Sequence, residues 1–193
     1  GKIMLNLDTE DDDELTIGCA GGVDVTAKGS YSPEDCPEGF TGIKLSLTGL
    51  TGGHSGMEIH LGRANANKLM NRLLYEAGRK FDLRIASVDG GSLRNAIPRE
   101  SFATIALETT KHFAHFIKEW QVILRTEYGT TDPDMTLSSE QCNCPEKICP
   151  ASFQKQFLAA VYACPNGIYR MSPDVPDLVQ TSNNVARVLL GDG

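Results

Sequence analysis

The stretch IKLSLTGLTGGHSG, residues Ile43 to Gly56, decides the fold because a strand, a turn and a histidine-bearing loop follow one another within it. Its first half alternates apolar residues with polar ones, namely Ile43, Leu45 and Leu47 with Lys44, Ser46 and Thr48. A period of two is typical of a strand that buries one face and exposes the other. The glycines from Gly49 to Gly53 then predict a turn.

A helix is predicted after this turn. Its apolar residues recur at helical spacing and are Ala66, Leu69, Met70, Leu73, Leu74 and Ala77. Asn65 stands where an N-cap is expected, and Gly78 stands where helices commonly end.

The next elements complete one supersecondary pattern. Strands are predicted at Leu83 to Val88, at Arg99 to Leu107 and at Asp134 to Ser138. Between the last two lies a helix that ends at Gly129, with the apolar stripe Phe113, Phe116, Ile117, Trp120, Leu124 and Tyr128. The order strand, helix, strand, strand, helix, strand is the split βαβ pattern. We therefore predict an α+β fold, a ferredoxin-like antiparallel sheet with helices on one face.

Further elements are predicted on both sides of this pattern. An apolar run at Ile3 to Leu7 predicts a buried strand, and a third helix is predicted from an N-cap at Ser152 to Pro165. A proline-rich loop and a last strand at Val185 to Leu190 follow. The closing turn, Gly191 to Gly193, predicts that the chain is a fragment. We divide it into residues 1–22, 23–183 and 184–193.

The composition excludes some classes of function. The formal net charge is −7, whereas binding of nucleic acid needs a basic surface, so nucleic acid is not an expected partner. No apolar run approaches the roughly 20 residues of a membrane span, so no membrane association is expected.

Three of the six cysteines form a C-x-C-x4-C cluster, Cys142, Cys144 and Cys149. Structural zinc sites use paired C-x2-4-C spacings and four ligands, and the fourth ligand is missing here. The favoured interpretation is a loop of free thiols without an assigned role.

Three side chains are candidates for chemistry. Asp8 follows a predicted buried strand directly and opens an acidic run, and a carboxylate in that place is a common metal ligand. His54 lies between glycines, where an imidazole can donate a hydrogen bond to a developing oxyanion. Asn95 could offer an amide donor to a substrate. The alternatives are a solvated acidic turn, a histidine that caps the next segment, and an Asx turn.

The chain resembles a known family through six motifs that recur in order: LNLDTED (Leu5 to Asp11), IGCAGGVD (Ile17 to Asp24), GGHSGMEIH (Gly52 to His60), GRANANKL (Gly62 to Leu69), GGSLRNAIPRE (Gly90 to Glu100) and ACPNGIYRMS (Ala163 to Ser172). It is similar to the Xaa-His dipeptidases, the aminoacyl-histidine dipeptidases related to carnosinase. These belong to the di-zinc aminoacylase and carboxypeptidase superfamily. The motifs extend along nearly the whole chain, so their combination is far more specific than any one alone.

The resemblance implies a cytoplasmic metallopeptidase with two zinc ions, dipeptide substrates and a homodimer formed by its lid domain. Residues 23–183 would be the lid, and residues 1–22 and 184–193 would be remnants of the catalytic domain. Asp8 would be a zinc ligand, His54 would stabilise the tetrahedral intermediate in the partner subunit, and Asn95 would bind substrate. The other ligands and the general base would lie outside the chain. This chain alone is therefore expected to be inactive and to bind no zinc.

Two alternatives remain open from the sequence. The first is a non-catalytic module that binds a small ligand or regulates another protein, because split βαβ sheets serve many functions. It predicts a preformed pocket within one chain, whereas the enzyme hypothesis predicts that His54 and Asn95 are exposed. The second is another hydrolase of the same superfamily, such as a tripeptidase or an N-acyl amino-acid hydrolase.

Overall fold

The computed structural model of the chain describes residue 13 and residues 20–191. The helices in this range are α1 (Ala66–Lys80), α2 (Phe113–Tyr128), α3 (Ala151–Ala163) and a short 3-10 turn at Ile59–Leu61. The strands are β1 (Glu34–Asp35), β2 (Thr41–Thr48), β3 (Gly53–His54), β4 (Leu83–Gly90), β5 (Ala96–Ile97), β6 (Ser101–Leu107), β7 (Thr136–Cys142), β8 (Lys147–Ile148), β9 (Gly167–Met171), β10 (Val179–Asn183) and β11 (Val188–Leu190). The predicted strand at residues 3–7 lies outside the described residues, as does Asp8.

The centre of the fold is a five-stranded antiparallel sheet with the strand order β11-β4-β6-β2-β7. Four of its strands, in chain order, are β2, β4, β6 and β7, with α1 after β2 and α2 after β6. This is the predicted split βαβ arrangement, and the α+β class is confirmed. Three pairs of short strands lie beside the sheet: β1 with β8, β3 with β5, and β9 with β10.

The hydrophobic core lies between the sheet and the helices. Ile43, Leu45 and Leu47 are buried, whereas Lys44 on the opposite face of β2 is exposed, so the alternation found in the sequence marks the buried face. The apolar stripes of α1 and α2 join the same core cluster, which places both helices on one face. Arg72 of α1 also donates two hydrogen bonds, of 2.6 and 2.8 Å, to the Glu127 carboxylate of α2.

The ends of the helices differ in part from the prediction. Asn65 caps α1 as expected, since its side-chain oxygen accepts the N–H groups of Asn67 and Lys68. Gly78 does not end the helix, because its φ is not positive and the chain stays helical to Lys80. The next residue, Phe81, leaves the helix in extended geometry and packs against the core.

The third helix starts one residue before its predicted N-cap. Its N-cap is Pro150 rather than Ser152, at a φ of −55° that the proline ring favours. At the other end the Lys68 ammonium donates hydrogen bonds to the carbonyls of Val161, Tyr162 and Cys164. A cation at this position complements the helix dipole and satisfies carbonyls that have no partner within the helix. No helix in the described part of the chain is long and apolar enough to cross a bilayer.

Two segments near the C-terminus also depart from expectation. The predicted proline-rich loop after Gly167 contains the hairpin of β9 and β10, whose side chains are mostly exposed. The last strand is shorter than predicted, and it pairs with β4 at the edge of the central sheet. Residues 184–193, predicted as a remnant of another domain, thus contribute β11 to this sheet. The division of the chain into domains stays a prediction.

A buried carboxylate, that of Asp132, joins three parts of the chain. The side chain accepts hydrogen bonds from the backbone N–H of Thr51, from the backbone N–H of Ala64 and from the Thr131 hydroxyl, at 2.8 to 2.9 Å. Asp132 is 1% exposed, so these donors replace the water that an ionised carboxylate would otherwise bind. The end of α2 is thereby tied to the loop after β2 and to the start of α1.

Replacing Asp132 with alanine should lower the free energy of unfolding of this chain by about 3 kcal/mol. The physical reason is that two backbone N–H groups and a hydroxyl lose their acceptor in a dry site. Denaturant unfolding followed by circular dichroism measures the change. Asp134→Ala is the matched control, because Asp134 is exposed and should be nearly neutral. Equal stability of the two variants would contradict the role given to Asp132.

Candidate active-site surface

The structure brings His54 and Asn95 together, although 40 residues separate them in the sequence. Strand β3 pairs with β5 in antiparallel register, and His54 lies opposite Ala96, the neighbour of Asn95. The backbone N–H of Ser55 also donates to the carbonyl oxygen of Asn95 at 2.8 Å. Two loops that each carried one candidate residue therefore form a single surface.

The glycines before His54 are required by the backbone. Gly52 and Gly53 have φ values of 65° and 138°, which L side chains rarely adopt. A Cβ on Gly52 would collide with the Arg99 side chain, and a Cβ on Gly53 would lie 2.5 Å from both Arg63 and Glu58. The close approach of these side chains fixes the path of the chain into His54.

An ion pair holds the backbone of His54 in place. One oxygen of the Glu58 carboxylate accepts the His54 N–H at 2.8 Å, and the other lies 2.8 Å from the Arg63 guanidinium. Arg63 also donates to the carbonyl oxygen of Gly52 at 2.6 Å. The His54 N–H, and next the Arg63 guanidinium, lower the pKa of the Glu58 carboxyl below its ordinary value.

The contacts of the His54 ring determine which nitrogen can act as a donor. Nδ1 accepts the Gly56 N–H at 3.2 Å, so in the neutral imidazole the proton lies on Nε2. The ring is only half-buried. The Nε2–H group is thus a hydrogen-bond donor that a carbonyl or an oxyanion could use.

Asn95 lies in an exposed turn whose backbone is fixed on both sides. The Ala96 N–H donates to Leu93, and the Ala96 carbonyl accepts the side-chain amide of Asn184 at 2.8 Å. Asn184 in turn accepts an N–H from Asn65, the N-cap of α1. A short network of amides thereby connects the Asn95 turn to the helix layer while the Asn95 side chain stays exposed.

Two surface clefts of the fold lie elsewhere. One, of about 350 Å³, lies between α1, β4 and α3, and the other, of about 180 Å³, lies near Tyr31 and Lys147. Neither cleft is lined by His54 or Asn95. The two candidate residues therefore lie on an open surface and not in one of these clefts.

The described residues do not fit a zinc pair. Among residue 13 and residues 20–191, no group of three or more His, Cys, Asp or Glu side chains is placed to hold a metal ion. Asp8, the predicted ligand, lies outside this range.

Sequence reasoning missed three features that the structure reveals. One is the Glu58 brace, by which we mean the contacts of the Glu58 carboxylate with the His54 N–H and with Arg63. A carboxylate four residues after a glycine-flanked histidine is the signal that could have suggested it. The Asn184 contact and the contact between the Cys36 and Cys144 sulfurs join residues 88 and 108 positions apart. No local pattern could have predicted them.

Acidification should loosen the loop around His54. Since the Glu58 pKa is lowered in the folded state, its stabilising contribution is present above the ordinary glutamate range and disappears as the pH falls through the lower, folded-state pKa. Below about pH 4 we expect the amide resonances of Gly53 and His54 to shift together in NMR spectra. The Glu58→Gln variant should lack this titration. The control variant Glu140→Gln, which changes an exposed residue of β7, should retain it. If the Gly53 and His54 amide resonances still shifted in Glu58→Gln as in the unmodified chain, the proposed contact of Glu58 with the His54 N–H would be contradicted.

Comparison with known proteins supports the fold and the predicted resemblance. Residues 45–132 match the peptidase dimerisation domain family, and this range contains both His54 and Asn95. The chain is 40% identical over 192 residues to a cytosol non-specific dipeptidase of Escherichia coli (strain K12), covering 98% of this chain and 40% of that protein. The crystal structure of an aminoacylhistidine dipeptidase from Vibrio alginolyticus matches with a TM-score of 0.80 and 41% identity.

These relatives are much longer than the chain. The Vibrio match covers 83% of this chain but 33% of that protein, so the chain spans only about a third to two fifths of the relatives it matches. The predicted resemblance is confirmed at the level of family and fold. Residues 45–132 are therefore similar to the peptidase dimerisation domain family, and almost the whole chain is similar to part of a dipeptidase.

Proposed function

We propose that the chain is the lid and dimerisation part of a cytoplasmic, metal-dependent dipeptidase that cleaves dipeptides with a C-terminal histidine. The observation that carries this proposal is the pairing of β3 with β5, which places His54 and Asn95 side by side on an open surface. An open surface suits residues that complete the active site of another domain. Both relatives are named as dipeptidases, which supports the reaction, and the name of the Vibrio protein supports the preference for histidine.

His54 would act on the carbonyl group of the scissile peptide. When that carbon becomes tetrahedral, its oxygen acquires negative charge, and the Nε2–H of His54 would donate to it. The Glu58 brace contributes by fixing the backbone from which the ring projects. A donor held in place before the reaction begins loses little orientation entropy in the transition state.

Asn95 would bind the substrate rather than the developing charge. Its amide offers two donors and one acceptor, which suits a carbonyl or a terminal carboxylate. His54 lies in β3, and Asn95 directly precedes the paired strand β5, so both could contact one dipeptide.

The metal ions would be held mainly by other parts of the intact protein. Two zinc ions would polarise the scissile carbonyl and activate water, and Asp8 would contribute one ligand. Because the described residues provide no metal cluster, this chain alone should neither bind the zinc pair nor hydrolyse dipeptides.

The test is hydrolysis of β-Ala-His and Gly-His with zinc by the full-length protein, by this chain and by a full-length His54→Ala variant. We expect an active full-length protein, an inactive chain, and a fall in kcat of about a hundredfold to a thousandfold in the variant. His60→Ala is the matched control, since His60 is exposed on the same segment and should leave kcat unchanged.

Other outcomes would identify the rival hypotheses. Near wild-type turnover of His54→Ala would remove the proposed role. Activity of the isolated chain would mean that the metal site lies within this chain and not mainly in other parts of the intact protein. A full-length protein that cleaves tripeptides or N-acyl amino acids instead would change the substrate class. Inactivity of both proteins, together with specific binding of a small ligand, would favour a binding module.

The homodimer would form at the β7 edge of the sheet. Among the described strands β7 pairs only with β2, so its outer edge has backbone groups open to another chain. Helix α2 packs against β7 and exposes Val122 (66%) and Ile123 (38%). A two-fold contact of these surfaces would bury apolar side chains and pair strand edges at once.

Val122→Glu should weaken the dimer of the full-length protein by about tenfold or more in Kd, because it would bury a charge at the contact. Sedimentation equilibrium measures the change. Val175→Glu is the control, since Val175 is also exposed but lies between β9 and β10, away from α2 and β7. An unchanged Kd for Val122→Glu, or an equal effect of both variants, would contradict this interface.

A further inference from the structure

The thiols of Cys36 and Cys144 are in contact. Their sulfur atoms are 3.4 Å apart, although the residues are 108 positions apart in the chain. Cys36 follows β1 directly, and Cys144 lies in the connection between β7 and β8. All five described cysteines are free thiols, and among them only Cys36 and Cys144 have their sulfurs in contact.

Backbone pairing on both sides holds the two thiols together. Strand β1 pairs with β8, and beyond that pair the Cys36 N–H donates to the Glu146 carbonyl at 2.9 Å. Lys147 and Asp35 form an ion pair at 2.6 Å between the same two strands. On the other side, Cys142 belongs to β7 and is fixed in the central sheet. The connection that carries Cys144 is therefore anchored at both ends.

We infer that Cys36 and Cys144 form a reversible disulfide when the protein meets a low-molecular-weight disulfide oxidant of the glutathione type. An S–S bond is about 2.05 Å long, so the sulfurs must approach by only about 1.4 Å. Cys144 is exposed, and both residues lie in short connections that can make this adjustment. A zinc site is the poorer explanation, because the described residues place no third ligand beside the pair.

The exchange is balanced in two steps. The Cys144 thiolate attacks the oxidant, forms a mixed disulfide and releases one thiolate of the oxidant. The Cys36 thiolate then attacks the Cys144 sulfur, closes the protein disulfide and releases the second thiolate. The two protons lost by the cysteines are taken up by the two released thiolates. The protein loses two electrons, the oxidant gains them, and excess reduced thiol reverses the reaction.

The environment of the two thiols also determines which of them attacks the oxidant first. Burial, and then the nearby Cys144 side chain, raise the pKa of Cys36 to about 11, so Cys36 is almost fully protonated at neutral pH. A protonated thiol does not attack, and therefore Cys36 is the resolving and slower partner. The rate of closure should therefore rise with pH between pH 7 and pH 9.

A disulfide here would fasten the segment before β1 to the connection after β7. Residues 20–33 have no regular structure and lead into β1, which is held by a two-residue pairing with β8. Cross-linking would close a loop of 108 residues that contains the split βαβ unit. Closing so long a loop should raise the Tm by about 5 to 10 °C.

The test is oxidation of the full chain with oxidised glutathione, followed by thiol counting, tryptic mass mapping and thermal unfolding. We expect two thiols to disappear and peptide 29–44 to become linked to peptide 126–147, with reversal by reduced glutathione. Trypsin leaves Cys142 and Cys144 in one peptide, so variants must separate them. Cys142→Ser should still form the link and gain stability, whereas Cys144→Ser and Cys36→Ser should not.

Three results would overturn the inference. The first is that all thiols persist at pH 8 under excess oxidant. The second is a link that survives in Cys144→Ser, which would mean that Cys142 is the partner. The third is stable glutathione adducts on Cys144 without closure, which would mean that Cys36 cannot reach it.

Discussion

One buried carboxylate connects the core of this chain to its candidate active-site surface. Asp132 fixes Thr51, three residues before His54, and Ala64, just before the helix that packs on the sheet. The loop between them carries Gly52, Gly53, His54 and Glu58. Because both ends of that loop share one anchor at the end of α2, its shape follows from the packing of the helices. The sheet can therefore be well packed while the histidine stays half-buried at the surface.

The candidate site is defined by backbone geometry more than by side-chain packing. Glycines permit the turn, Glu58 accepts the His54 N–H, and β5 supplies the opposite strand. Each contact fixes the main chain and leaves the imidazole and the Asn95 amide free to meet a substrate. Both the His54 loop and the Asn95 turn lie within residues 45–132, which match the peptidase dimerisation domain family.

Local periodicity predicted the central fold from the sequence. The alternation around Leu45 and the stripes of α1 and α2 each reflect burial of one face, which is a local signal. The β9–β10 hairpin was missed because its residues are mostly exposed and show no clear alternation. His54 and Asn95 were found through glycine context and family motifs, but their proximity depends on a strand pair of two residues each. Long-range contacts of that kind leave no periodic trace.

The one-sided burial of β2 also constrains how this chain can diverge. Positions such as Lys44 can exchange among polar residues with little cost, whereas the neighbouring Ile43 and Leu45 must stay apolar. The tolerance to substitution should therefore alternate from one residue to the next along the strand. An insertion of a single residue would reverse both faces at once, so strand length should be far more strictly inherited than the identity of half its residues.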